Sequence, residues 1–476
     1  MKKLYEIRCL AIAALSVILA PQAQAASLLE IYQQALQSDP LIHEADALRL
    51  AASELAPQAR GLLFPQLAAN AAYGTSDSSG NQLIVDTVGG ITRAPFTSDA
   101  DSNSWDIGIR QTVFRWDQVV GLKQANKQVA RAEADYEAAQ QNLIIRVATR
   151  YFEVLGAEDV LTSIHANRLA IARQLDQAKQ RFDVGLIAIT DVQESQAAHD
   201  QAVADEISAK RSLATAREFL REITGEYVAS LAAPTDEFPL VSPNPADETS
   251  WVDLAMSQNL TVVSSRLGEE VARDEISFRR TGHYPTIDLV AGRRYAEQSG
   301  TTQFNVGPVF PTESDSTNDS IFVQLNLPIF TGGVTSSRVR EAVYLHRASR
   351  EQLQRVARET ERQTRDAYLG VLAEISRVQA LKQAVESSRT ALQATEAGFE
   401  VGTRTIVDVL NSQFAVYAAI TNYYRSRYAY IGNVLRLKQA AGMLQVQDLE
   451  EIDRWLNERK PPEQAISEEG AAANPG

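Results

Sequence analysis

The chain has 476 residues and a formal net charge of −14, with 45% hydrophobic residues, 7% aromatics and a mean hydropathy of −0.21. That length suffices for two to four domains and a large core. The low hydropathy excludes a polytopic helical membrane protein, and the composition excludes collagen-like and disulfide-stapled chains; the excess of acid argues against nucleic acid and anionic lipid as partners.

Lys2, Lys3 and Arg8 precede an apolar stretch over residues 10–20, followed by Pro21 and an Ala23-x-Ala25 site. This is the pattern of a secretory signal over residues 1–25, its apolar part too short to span a bilayer. Cleavage removes those three bases and Glu6, leaving a still more acidic mature chain. The single cysteine, Cys9, leaves with the signal, so the exported fold needs no disulfide and no cysteine stands at the cleavage point to carry a lipid. No later run reaches the roughly 18–20 apolar residues of a membrane helix. Entry into a membrane is therefore expected through strands.

Comparison of the chain with itself reveals a duplication. Phe182-Asp-Val-Gly185 returns as Phe399-Glu-Val-Gly402, Ile189-Thr-Asp-Val192 as Ile406-Val-Asp-Val409, and Ser195-Gln196 as Ser412-Gln413, all at one offset that Gly225 and Gly442 keep. Upstream, Phe64-Pro65 answers to Tyr284-Pro285 and Val113-Phe114 to Ile329-Phe330. The expected organisation is a first copy over 26–225, a proline-rich linker over 226–250, a second copy over 251–442, and a C-terminal segment with a disordered tail over 443–476.

In chain order, residues 28–60 read as a helix broken at Pro40. Leu67, Ala69, Ala71 and Tyr73, then Trp105, Ile107, Ile109 and Val113, alternate with small or polar residues, the period of a strand with one apolar face. Residues 74–103 between them are rich in Gly, Ser, Thr, Asp and Asn and read as a solvated hairpin loop. A tract over 117–182 holds no proline and corresponds to a rod of roughly 100 Å. Along it Leu122, Val129, Tyr136 and Leu143 step by heptads, which shift by four and resume at Val147, Val154, Leu161, Leu175 and Phe182, with Arg168 interrupting. Heptads with such a stutter predict packing against other helices. Gly185 ends the rod, and a new helix starts near Thr190. The second copy repeats the series: strands at Ile287, Leu289 and Ala291 and at Ile321, Val323, Leu325 and Leu327, a loop over 296–319, a rod over 336–399 ending at Gly402, and a helix from near Thr405.

Four amphipathic strands fit either a soluble sheet packed on a helix or part of an outer-membrane barrel. Export, and helices already committed to heptads, favour the barrel. An open sheet edge in lipid leaves backbone groups unpaired, and barrels need at least eight strands, so identical copies must supply the rest. Two copies would give eight strands and three would give twelve; spacing alone does not choose.

The segment Gly398-Phe-Glu-Val-Gly-Thr-Arg-Thr-Ile-Val-Asp-Val-Leu410, with Arg181-Phe-Asp-Val-Gly-Leu-Ile-Ala-Ile-Thr-Asp-Val-Gln193 in the first copy, resembles the TolC family of outer-membrane export ducts over essentially the whole mature chain. The resemblance implies an α+β fold: four strands per protomer, twelve in a homotrimer, forming an outer-membrane β-barrel continuous with a periplasmic α-helical tunnel. It also implies outer-membrane lipid around the barrel, and docking through a periplasmic adaptor (membrane fusion) protein onto an inner-membrane ABC or RND-type transporter. No cofactor is implied, and nucleic acid is not a partner.

By the same resemblance the tunnel's periplasmic end is a gate. The motif match assigns its acidic ring to Asp408, with Asn411 on the same helical face where the family carries a second aspartate. The latch residues are Arg404 facing Thr190 and Asp191, with Gln174 a further candidate, and Phe399 where the family has tyrosine. Val184, Gly185, Leu186, Val401, Gly402 and Thr403 form the tips that would meet the adaptor. The plain alternative stays open: Thr405-x-x-Asp408 and Thr190-x-x-Gln193 both have the spacing of a capping box.

An enzyme is not expected. His43, His165, His199, His283 and His346 lack metal-ligand spacing, and neither a phosphate loop nor a nucleophile elbow occurs. Two competing readings are a periplasmic coiled-coil scaffold, which would be soluble, and a passive porin, which would leave the rods without purpose.

Overall fold

The computed structural model describes residues 25–85, 89–234, 239–304 and 307–457. The expected signal apart from Ala25, Cys9 within it, and the expected tail from Lys460 lie outside these. The elements in order are α1 (Leu28–Ser38), α2 (Pro40–Ser53), α3 (Leu55–Gly61), β1 (Gln66–Val85), β2 (Ile91–Phe114), α4 (Trp116–Asp183), α5 (Ile189–Thr224), β3 (Ala233–Pro234), α6 (Glu248–Gln258), α7 (Leu260–Arg280), β4 (Thr286–Phe304), β5 (Val309–Asn326), α8 (Val334–Glu400), α9 (Ile406–Ala440), α10 (Val446–Asp453) and β6 (Leu456–Asn457). By contacts the described residues divide into two compact units. One holds those up to Ala47, Ala134–Val263 and those from Arg355 on; the other holds Leu48–Glu133 and Ser264–Gln354.

The second unit contains one antiparallel sheet in the order β1-β2-β4-β5. Its middle pair, β2 with β4, joins the two copies of the duplication, and β1 and β5 are edges. Successive residues alternate faces, so the register stacks like with like: Leu67, Ile109 and Ala291 in one row, and Ala71, Trp105 and Tyr295 in another. Leu67, Ile107, Ile109, Ile321, Val323 and Leu325 are all exposed. Trp105 stacks on Tyr295 at 6.0 Å between ring centroids, and Tyr73 lies exposed at that end of the apolar band. Phe64, Tyr284 and Phe330 lie exposed at its other end. From Tyr295 to Tyr284 the chain advances about 30 Å once a barrel-type tilt is allowed for, close to the thickness of a bilayer core. An apolar band edged by aromatic girdles is how an outer-membrane strand meets lipid. At that level Arg293 pairs with Asp319 at 2.6 Å, which cancels the charge of both.

The strands run far beyond that band, and this corrects the sequence reading. Where described, residues 74–103 and 296–319 are strand almost throughout: β1 continues to Val85, β2 begins at Ile91, β4 continues to Phe304 and β5 begins at Val309. Above the lipid both faces of a hairpin meet water, so the alternation that betrays a strand vanishes although the ladder persists. The expected helix over 28–60 is likewise three helices, with Pro40 at the first position of α2 and Asp39 accepting the Leu41 N–H at 3.1 Å.

The first unit is helical and is held by the heptad residues. Leu143, Val147, Val154, Leu161 and Leu175 are buried, while Phe182 at the rod's end is exposed. Segment 226–250 is tied down where described. Tyr430 donates to the Val241 carbonyl at 3.0 Å and accepts its N–H at 2.8 Å, Tyr151 donates to Ala232 O at 2.6 Å, and β3 pairs with β6.

Between α4 and α5, where Arg168 interrupts the heptads, the buried Glu206 carboxylate gathers His165 at 3.3 Å, Lys210 at 2.8 Å and Arg168. Burial pushes this carboxyl up, but hydrogen bonds from Lys210 and His165 and the Arg168 charge outweigh it and hold the group below its ordinary value. A depressed carboxyl stabilises the fold fully above its unfolded value of about 4.3 and loses that contribution as pH falls through the folded value. Glu206→Gln should therefore destabilise by about 1–3 kcal/mol at pH 7. Thermal unfolding followed from pH 7 toward acid should show the gap to wild type closing; a constant gap would refute the ionic account.

Candidate gate at the helix-pair tips

The turns joining α4 to α5 and α8 to α9 are built by the same local physics. Gly185 and Gly402 sit at φ 75° and 77°, a left-handed conformation that a Cβ would strain. Leu186 N–H donates to Arg181 O at 2.8 Å and Gly185 N–H to Phe182 O at 2.8 Å; Thr403 N–H donates to Gly398 O at 2.8 Å and Gly402 N–H to Phe399 O at 3.1 Å. Both pairs are the crossed bonds of a Schellman motif, so the duplication reaches individual hydrogen bonds. Val184, Leu186 and Val401 are 70%, 73% and 76% exposed, an apolar surface at the very ends of the hairpins.

The following helices start differently. Thr405 caps α9: its hydroxyl accepts the Asp408 N–H at 3.3 Å, and Asp408 Oδ2 accepts the Thr405 N–H at 2.9 Å and hydroxyl at 3.0 Å. The equivalent position before α5 is Ala188, which has no acceptor. That helix begins at Ile189 with Thr190 already inside its first turn, so the box read at Thr190-x-x-Gln193 does not form.

The Thr405–Asp408 box does not use up the carboxylate. Both cap bonds fall on Oδ2, and among the described residues Oδ1 accepts none, leaving it able to face an ion. Hydrogen bonds from the Thr405 backbone and hydroxyl, with the Arg404 charge, hold the Asp408 carboxyl below its ordinary value, so it stays ionised. Asn411 is exposed one turn on.

A cleft of about 640 Å³ opens at these tips. Of the expected latch residues it is lined by Arg404, Asp191 and Phe399, together with Leu186 and Gly402. Thr190 is exposed and outside the lining, and Gln174 lies two turns up α4 from it. Among the described residues no ion pair joins Arg404 to Asp191. Instead the Arg404 stem folds over Gly398, where an added Cβ would lie 2.8 Å from Arg404 Cγ. The sequence reading missed Arg181, whose guanidinium carbon sits 4.9 Å from the centroid of the Phe399 ring. Its signal was available: in the duplication Arg181 answers to Gly398, so only one copy carries a side chain there. Among the described residues no cluster of His, Cys, Asp or Glu could hold a metal, and no helix is long and apolar enough to cross a membrane, which does not bear on strands.

The outer membrane efflux protein family matches residues 31–226 and 251–443. The outer membrane protein TolC of Vibrio cholerae is 38% identical over 437 residues, which cover 92% of this chain and 95% of that protein. The alkaline protease secretion protein AprF of Pseudomonas aeruginosa is 28% identical, with 91% and 88% covered. Among solved structures, the outer membrane protein VceC from Vibrio cholerae matches with a TM-score of 0.68 at 19% identity, over 87% of this chain and 96% of that one, a likeness of fold alone.

The chain belongs to the outer membrane efflux protein family. It is an outer-membrane exit duct with an α+β channel fold, and it is not an enzyme.

Proposed function

We propose that three copies of the chain close one twelve-stranded barrel and one helical tunnel, through which an inner-membrane transporter expels its substrates. The observation that carries this is the four-stranded sheet with a lipid-type apolar face and two unpaired edges, β1 and β5. Such edges cannot stand in hydrocarbon, where each orphaned backbone group costs several kcal/mol. Eight strands from two copies would enclose an interior filled by side chains, whereas twelve leave a lumen, and export needs a lumen. Cross-linking and native mass measurement of the detergent-extracted protein should give three copies; a stable lipid-inserted monomer, or recovery wholly in the aqueous periplasmic extract, would overturn the reading.

The driving force comes from partners, since the sequence carries no nucleotide site. A periplasmic adaptor meeting Val184, Gly185, Leu186, Val401, Gly402 and Thr403 fits the exposed apolar tips. An ABC or RND-type transporter fits relatives named for efflux and for protease secretion. Copurification of the native complex identifies which of the two the duct serves.

The tips form the gate, with three Asp408 carboxylates at its narrowest point and Arg404 holding it shut. A guanidinium can donate several directed bonds, which suits a latch that must hold and yet release. Arg404→Ala is expected to raise the resting conductance of the channel in a planar bilayer. Unchanged conductance would make Arg404 a solvated helix-end charge.

A further inference from the structure

We propose that Arg181 and Phe399 form a cation–π latch that ties the α4–α5 hairpin to the α8–α9 hairpin within one protomer and holds the tips closed. The inference rests on the gate reading above and adds residues to it. At 4.9 Å from the ring centroid the guanidinium is well inside the range of about 6 Å over which a ring face attracts a cation. Arg181 belongs to α4 and Phe399 to α8, so the contact crosses from one hairpin to the other. Each residue sits in the last turn before a left-handed glycine, and each backbone carbonyl is engaged in a Schellman bond, Arg181 O by Leu186 and Phe399 O by Gly402. The two side chains therefore project from pinned backbone, and their meeting is set by the packing of the two hairpin tips. Both are half-buried in the tip cleft, where the ring is partly shielded from water and the attraction is stronger than on open surface.

The surroundings make this contact matter. Ser163 donates to Tyr417 O at 3.3 Å. Tipward of that bond, over about 27 Å of helix, no side-chain hydrogen bond or ion pair among the described residues joins the two hairpins. Among the described residues Arg181 has no carboxylate partner within ion-pair distance, so its charge is committed to the ring. A ring face has no directed lone pair to satisfy. The contact tolerates sliding and breaks without stranding a buried donor, as a latch that opens on each transport event requires.

The test uses the full-length assembled protein in planar bilayers. Arg181→Gln and Phe399→Leu should each raise the open fraction about two- to fivefold per protomer, compounding where three protomers release together. The double variant should be no leakier than either single one, and Phe399→Tyr, which keeps the ring, should stay as tight as wild type. Assembly and thermal stability should be unmoved throughout, which a merely structural contact would not predict. Additive singles, or a leaky Phe399→Tyr, overturn the latch. If both singles stay tight while Arg404→Ala leaks, the latch falls and the gate stands; if Arg404→Ala is also silent, both fall.

Discussion

Asn411→Asp is expected to tighten block of the channel by a trivalent cation about tenfold or more, and Asp408→Asn to abolish block. On the proposed gate the chain presents one carboxylate per protomer at this level, so an assembly of three would carry three charges where the variant would carry six. In a neck of low effective dielectric an added carboxylate near the ion acts far more strongly than it would in bulk water. Asparagine at 408 still offers an oxygen to Thr405 and keeps the helix start, which separates loss of charge from loss of the cap. Conductance titrated with the cation at two salt concentrations checks both points, since screening must weaken a true electrostatic block. Full-strength block of the wild-type channel, indifferent to Asn411→Asp, would remove Asp408 from the constriction.

Gly442→Ala is expected to destabilise the folded protein by about 2–5 kcal/mol, where Gly225→Ala costs only about 1–2 kcal/mol. The two glycines are equivalents in the duplication, at φ 75° and 76°, and either alanine accepts the left-handed penalty of about 1–2 kcal/mol. Their surroundings differ. A Cβ at 225 would rest 3.4 Å from Ser38 Cβ, an ordinary contact, whereas one at 442 would fall 2.3 Å from the Gln258 carbonyl oxygen and 2.8 Å from Asn259 N. Backbone cannot swing aside as a side chain does, so overpacking adds about 1–3 kcal/mol more. Yield in the outer-membrane fraction and protease resistance after extraction should separate the two variants clearly. Equal yields would mean that the junction of α6 and α7 yields to the methyl group.

Much of this architecture was legible in the chain itself, because a duplication writes each feature twice. The glycines at 185 and 402 fixed both rod ends, and the heptads from Leu143 to Leu175 named the residues that are buried. What escaped had physical reasons. The polar stems of the hairpins lack alternation because both their faces meet water, so long strands passed for loops. The pairing of β2 with β4 joins positions nearly two hundred residues apart, and no local pattern records it. Glycines reveal it only afterwards: a Cβ on Gly300 would strike Asp99 O at 2.1 Å. At the candidate gate, the motif led to Asp408, Arg404, Asp191 and Phe399, which gather at the tips. It passed over Arg181, whose contact crosses between helices; Thr190, expected in the latch, stands outside the cleft, and the capping-box alternative fails there because Ala188 occupies the cap position.

The bare rims of the sheet also govern how the protein reaches its membrane. A newly exported copy carries two adhesive borders of about twenty residues each, and a strand border of that length is a template for any extended chain it meets. On the proposed three-copy assembly, a copy left waiting with these borders open would be prone to proteolysis or to clumping with its own kind. If the final step is the proposed meeting of several bodies rather than the folding of one, abundance in the envelope should climb more steeply than synthesis at low expression.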